Sequence, residues 1–275
     1  MKFGQKPISE CVGDLLVHSA KTPDGKLPKG TKLSKNHVET LRLIGFKFLL
    51  VVSLEEDDVE ENLAASMLSN AFLESGFQLS VPATGRVNFI ADALSIVRLD
   101  VEKIKSLNEI DESITFATVM PDQLVAAGQM IATMKIIPYA VSKSSVDAAL
   151  SVISNSVLVS CRAIVTRKFS LIQTSFEDTK PSIISATEDV TRTRLSQLDC
   201  PLIDSQLTAH TASEVHDALM RGRNLGAEAF LLCGASAIAD RLDILPEALR
   251  MVGGEVIHLG LPVDPGNLSM VGQWD

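Results

Sequence analysis

Ala229–Gly272 reads AFLLCGASAIADRLDILPEALRMVGGEVIHLGLPVDPGNLSMVG, and its punctuation decides the fold. The apolar run Ala229–Cys233 has the composition of a buried parallel strand. It ends at Gly234-Ala235-Ser236, small residues whose backbone can approach a ligand closely. A helix follows, with Pro246 near its first turn and Gly253-Gly254 just past its end. Glu255–Leu259 then reads as the next strand, and Pro262–Asn267 as a rigid loop closing over the same edge. Ligands of open α/β sheets bind outside the carboxyl ends of the strands. Two such loops are expected to converge, one holding Asp240 and Asp243 and the other Asp264, Gly266 and Asn267.

Upstream, strands and helices alternate. Phe169–Thr174 predicts a strand, and Ser185 with Glu188 a capping box opening a helix to Leu198. Pro201–Ser205 predicts a strand, and Thr211 with Glu214 a second capping box for a helix through Leu225. The order β-α-β-α-β-α-β with right-handed crossovers predicts a three-layer α/β/α sandwich with a mostly parallel sheet. Thr174-Ser175 and Lys180-Pro181-Ser182 fall at the carboxyl end of its first strand, facing the same crevice. His210 and His216 flank a helix start without sharing a face, and both are expected to face solvent.

Residues 1–165 pattern differently, with a boundary near Cys161–Lys168, so 166–275 is read as a second domain. Leu15–Ala20 predicts a strand and Thr22-Pro23-Asp24-Gly25 a turn. Ser34 is an N-cap candidate for a short helix ended by Gly45, and Phe46–Ser53 is an apolar strand. The acidic run Glu55-Glu56-Asp57-Asp58 suits the first turn of a helix over Val59–Leu73, with Val59, Leu63, Met67 and Leu68 on one side. Thr84-Gly85-Arg86-Val87-Asn88-Phe89 either lines a site or holds a turn. Ile131–Val141 reads as a long buried strand carrying Lys135, an edge residue or a paired one, and Ser142–Ser154 as a short helix.

The 275-residue chain is 46% hydrophobic with a mean hydropathy of +0.22, enough for large cores. Aromatics are only 4%, which predicts aliphatic cores. A net charge of −9 and a pI near 5.1 argue against a nucleic-acid groove. Helix N-termini and backbone N–H groups can still bind an anion locally. Cys11, Cys161, Cys200 and Cys233 lack paired spacing, so neither a metal site nor a disulfide framework is expected. With no signal peptide and no apolar run of spanning length, a cytoplasmic protein without a membrane partner is expected.

The ordered wording GASAIADRLDILPEAL…GGEVIHLGLPVDPGN resembles the molybdopterin-binding domain of the MoeA, MogA and gephyrin proteins of molybdenum-cofactor biosynthesis. It is most similar to a bacterial subgroup, some of whose members are fused to a nucleotidyltransferase domain. Cys233-Gly234-Ala235-Ser236 stands at the family's Thr-Gly-Gly place, Asp240 and Asp243 at its acidic segment, and Pro265-Gly266-Asn267 at its Pro-Gly loop. Gly-Gln-Met at Gly128–Met130 and Lys-Ile-Ile-Pro at Lys135–Pro138 extend the likeness into the first half. The resemblance implies a MogA-like sandwich preceded by a β-rich α+β, MoeA-like region. Relatives continue past this point, so the chain is expected to be incomplete at its C-terminus.

That resemblance implies molybdopterin or molybdenum cofactor as ligand, held by Gly234, Ala235, Ser236, Asp264, Pro265, Gly266, Asn267, Thr174 and Ser175. Asp240 and Asp243 are the catalytic candidates, and Asp240 also the candidate ligand of Mg²⁺, a hard cation that takes oxygen donors. Asp243 equally suits the N-cap of the helix at Ile244. A molybdoenzyme or another cofactor-synthesis protein is the implied partner, with a homo-oligomer as the assembly. Ala235 and Ser236 replace a glycine and a threonine of the enzyme pattern. A carrier of the pterin is therefore expected ahead of an adenylyltransferase or a molybdenum insertase.

Overall fold

A computed structural model describes residues 1–73, 75–154 and 156–275. They form two compact units, Met1–Ile164 and Val165–Asp275. The first runs β1 (Lys2–Pro7), β2 (Leu15–Leu16), β3 (Ala20–Thr22), β4 (Gly25–Leu27), α1 (Lys35–Leu43), β5 (Phe48–Ser53), β6 (Asp58–Glu60), α2 (Glu61–Asn70), β7 (Phe77–Leu79), β8 (Arg86–Ala91), β9 (Ser95–Leu99), α3 (Val101–Asn108), β10 (Ile114–Thr118), β11 (Leu124–Val125), β12 (Met130–Ile136), β13 (Ala140–Ser142), α4 (Lys143–Ile153) and β14 (Val159–Ala163). The second runs β15 (Phe169–Ser175), α5 (Pro181–Ser196), β16 (Leu202–Ala209), α6 (Ala212–Asn224), β17 (Ala229–Cys233), α7 (Ile244–Met251), β18 (Glu255–Leu259) and β19 (Met270–Gln273). The chain is mixed α/β, and no helix among the described residues is long and apolar enough to cross a membrane.

The first unit is built from small antiparallel sheets, ordered β1-β5-β2, β10-β12-β8-β7 and β11-β9-β14, with two further two-stranded pairs. Its main core is aromatic as well as aliphatic, against the compositional expectation. Phe72 meets Phe89 and Phe116 at ring distances of 4.9 Å, and Phe89 meets Phe77 at 5.2 Å. A low aromatic average hid this local concentration. Helix α2 begins at Glu61 rather than Val59, because the Glu60 carboxylate accepts the Asn62 and Leu63 N–H groups, each at 3.0 Å. Its buried face is Ala64, Ala65 and Leu68, while Leu63 and Met67 are exposed. The expected long strand stops at Ile136; beyond Pro138, which has no N–H to give a ladder, Ala140–Ser142 pairs with β6 instead.

In the second unit β15 lies between β16 and β17 and is parallel to both. Ile172 packs in one apolar cluster with Val215, Ala218 and Leu219 of α6 and Leu245 and Ala248 of α7. Gln173, on the opposite face of the strand, donates from Nε2 to the Ile184 carbonyl of α5 at 3.1 Å. Helix α5 begins at Pro181, not at Ser185. Proline suits the first helical position, where its missing N–H is no loss. Ser185 therefore lies inside the helix and bonds the Ser182 carbonyl. Thr211 does cap α6, accepting the Glu214 N–H at 3.4 Å.

The expected fourth parallel strand is not part of that sheet. Residues Glu255–Leu259 pair antiparallel with β19 in a separate two-stranded sheet. The connection turns the chain straight back: Gly260 N–H bonds Ser269 O at 2.9 Å, and Leu261 N–H bonds Asn267 O at 3.0 Å.

The aromatic cluster dictates a stability test. Phe89 is fully buried and touches three other rings. Phe89→Ala is expected to destabilise the first unit by about 3–5 kcal/mol, read as a lower denaturation midpoint in urea.

Candidate functional site

The strands of the parallel sheet end together at Ser175, Ala209 and Cys233, and their following residues meet. Thr174 is buried, and its Oγ1 accepts the Ala235 N–H at 2.8 Å. The same oxygen lies 2.7 Å from His210 Nδ1, and His210 Nε2 lies 3.0 Å from Ser236 Oγ. Phe176 stands edge-on to the imidazole, with centroids 5.1 Å apart at 76°. Three strand ends are thus joined by one chain of polar contacts, Thr174–His210–Ser236.

The proton order along that chain follows from Thr174. Its oxygen already accepts one bond, and among the described residues its single hydroxyl proton has no acceptor but Nδ1. A buried hydroxyl left without an acceptor carries a penalty of about 1–3 kcal/mol. Thr174 therefore donates to Nδ1, which places the imidazole proton on Nε2, donating to Ser236. In this tautomer His210 is not a base for Ser236, and the Ser236 proton is left to point outward.

Gly234 is needed by the turn itself. A Cβ there would lie 2.7 Å from the Ser236 carbonyl oxygen and 3.1 Å from Leu245 Cδ1. A larger residue would rebuild the turn before it blocked any ligand. Two hollows flank this turn. One, of ≈480 Å³, is lined by Thr174, Phe176, Asp178, Lys180, Ile183 and Ala235, among others. It opens at the N-terminus of α5, which no side chain caps. The other, of ≈790 Å³, runs along β17 to Met270 and Trp274. Trp274 there packs on Phe230 and under the Arg223 guanidinium, 4.5 Å from the ring centroid.

The structure thus brings Thr174 together with Gly234, Ala235 and Ser236, and the other candidates take no part in that chain of contacts. Ser175 ends β15 in register with Ala209. Asp243 is the N-cap of α7: Oδ1 accepts the Ile244 N–H at 2.8 Å and Oδ2 the Ala239 N–H at 3.1 Å. These two bonds hold its carboxyl below the usual carboxylate range, with a smaller pull from His210. Asp240 is exposed and accepts the Leu242 N–H at 2.8 Å. Asp264, Pro265, Gly266 and Asn267 are exposed in the β18–β19 connection. No hydrogen bond among the described residues joins them to the Gly234–Ser236 turn. Nor does any group of three or more His, Cys, Asp or Glu among the described residues converge as metal ligands. A Mg²⁺ ion on Asp240 would therefore rely on water and ligand oxygens. Burial pushes the Cys233 thiol up, so it is no ready nucleophile.

His210 is the residue that sequence reasoning missed. Strand β16 was expected to stop at Ser205 but continues to Ala209, which moves His210 to the carboxyl edge. Its signal was the apolar-polar alternation through Leu207-Thr208-Ala209, masked by the polar Asp204-Ser205-Gln206.

No protein-family model matches the chain, and no curated protein matches it. Among solved structures, the crystal structure of NadC from Streptococcus pyogenes overlaps 77% of this chain and 94% of that chain, at 9% identity and a TM-score of 0.19. Overlap at that level carries no functional argument.

Two outcomes follow from this geometry. Because the folded-state value of Asp243 lies below the unfolded one, its stabilisation is present above about pH 3.9 and is lost as pH falls through the folded value. Asp243→Ala is expected to lower stability by about 0.5–2 kcal/mol at pH 7, with the gap to the parent chain closing in acid, as measured by denaturation at several pH values. In Thr174→Val the imidazole loses the partner that fixes its tautomer. The ¹⁵N shifts of His210 are expected to move from an Nε2–H pattern toward an averaged one.

Proposed function

We propose that the second unit binds a molybdopterin species at the carboxyl edge of its parallel sheet and that the chain carries this ligand rather than transforming it. The pterin identity rests on the sequence resemblance. What the geometry adds is one observation: the ≈480 Å³ hollow lies between Gly234-Ala235 and the N-terminus of α5, which no side chain among the described residues caps, beside Lys180. A helix N-terminus with a neighbouring ammonium favours an anionic group such as a phosphate. Asp178 and Thr179 on the same rim supply acceptors and a hydroxyl for the polar parts of a ring. Helix α5 against one face of β15 and α6 with α7 against the other support the finer reading of this unit as a MogA-like, three-layer sandwich.

The carrier reading is supported by how the side chains near the turn are used. Asp243 is committed to its helix cap, and His210 offers a proton to Ser236 rather than accepting one. Ser236 is then a donor on the neighbouring ≈790 Å³ hollow, not a base. Adenylation or molybdate insertion needs groups preorganised around a transferring phosphoryl. The working setting proposed is the cytoplasm, with a molybdoenzyme or another cofactor-synthesis protein as recipient and Mg²⁺ as an accompanying ion.

Native mass spectrometry of the full chain mixed with molybdopterin tests the binding. A bound pterin is expected, with Lys180→Ala weakening it about tenfold, the worth of one hydrogen bond to a charged group. No complex, or one indifferent to Lys180→Ala, would refute it. Formation of adenylated molybdopterin in a single turnover with ATP would replace the carrier by an enzyme.

A further inference from the structure

The first unit carries a second polar site, unrelated to the pterin reading. Ala83 and Arg86 exchange backbone hydrogen bonds at 3.0 and 3.1 Å, closing a two-residue hairpin over Thr84 and Gly85. Both central residues have positive φ, 49° at Thr84 and 67° at Gly85, as a type I′ turn requires. Asparagine or aspartate is the usual first residue of such a turn, and a β-branched threonine there is strained. The turn is held tightly from outside. Gly85 N–H bonds Asn62 Oδ1 at 2.9 Å, and Ile136 N–H bonds Gly85 O at 2.8 Å. The Lys135 ammonium donates to the Thr84 carbonyl. A Cβ on Gly85 would lie 2.7 Å from Ile136 O and 2.9 Å from both Glu61 Oε2 and Lys135 Nζ, so only glycine fits.

The antiparallel register sets Lys135 directly opposite Arg86. Like charges in that position repel. Lys29 brings a third cation to the same cavity of ≈310 Å³, which Gly30, Glu61 and Tyr139 also line. Among the described residues neither Arg86 nor Lys29 has a salt bridge, and Glu61 is within ion-pair distance of none of the three. Burial pushes the Lys135 ammonium below its ordinary value, with Glu61 opposing and Arg86 and Lys29 adding to it. Burial likewise raises the Glu61 carboxyl, against the pull of Lys135 and, more weakly, Lys29, with the neighbouring Glu60 carboxylate adding to the rise. In a chain of net charge −9, three cations gathered around one carboxylate make a local excess of positive charge.

We infer that the cavity between the Thr84–Gly85 turn, Lys29 and Lys135 binds a small phosphate-bearing molecule, with Arg86 and Lys29 contacting the anion and Lys135 held ready by the Thr84 carbonyl. The anion relieves the Arg86–Lys135 repulsion, and a guanidinium with two ammonium groups matches the three oxygens of a phosphomonoester. The volume is near the lower end for small-molecule sites, about 300–1,000 Å³, which suits a compact ligand. The overall acidity of the chain opposes an extended polyanion.

Titration of the full chain with inorganic phosphate at constant ionic strength, followed by the NMR signals of the Gly85 amide and the Lys135 ammonium, tests this. Saturable shifts at both are expected. Arg86→Gln and Lys29→Gln, exposed head groups whose loss spares the core, are each expected to weaken binding about tenfold without lowering the thermal midpoint. Glu61→Gln is expected to tighten it about threefold by removing the opposing charge. A purely structural charge cluster would give no site-specific shift, or shifts equal in all variants, and either result overturns the inference.

Discussion

Strand β15 is hydrogen-bonded along both edges and buried on both faces, yet it carries Ser170, Gln173 and Thr174. Buried polar atoms must find partners, and that requirement organises the second unit. Ser170 donates to Asp204 at 2.7 Å and fixes β16. Gln173 reaches the first turn of α5 and fixes that helix. Thr174 ties the end of β16 to the turn after β17 through His210 and Ala235. Three polar residues on one strand thus position three neighbouring elements. The candidate site exists where the last of them emerges.

Local signals in the sequence were enough for much of this. The boundaries of β17 and β18, the Ser34, Thr211 and Asp243 caps and the Gly45 helix end all follow from side-chain chemistry within a few residues. Ser34 even forms a full capping box, with His37 as its unexpected second member. The misreadings share a cause. Ser185-x-x-Glu188 has the form of a cap, but Pro181 starts the helix first, and Glu188 is drawn to Ser205 and Arg192. Glu255–Leu259 has the composition of a buried strand, but composition does not state which neighbour it pairs with.

Non-local geometry was the least legible. Arg86 and Lys135 are far apart in sequence, and each alone reads as an ordinary surface cation. Only the register of β8 against β12 makes them opposed. Of the candidate residues, Thr174 and Gly234–Ser236 are neighbours in space, and strand ends and small-residue turns leave marks that made them legible. His210 was lost because one polar patch inside β16 hid the end of the strand.

The cysteines carry a practical consequence. Cys11 and Cys161 in the first unit and Cys200 in the second are buried, and Cys233 is half-buried. Burial raises the Cys11, Cys161 and Cys233 thiols, which keeps them out of the reactive thiolate form. An alkylating reagent must then wait for local opening before it reacts. Each unit thereby contains its own intrinsic clock: the rate at which its thiols become modified reports how often that half of the molecule opens, residue by residue, without any label being introduced.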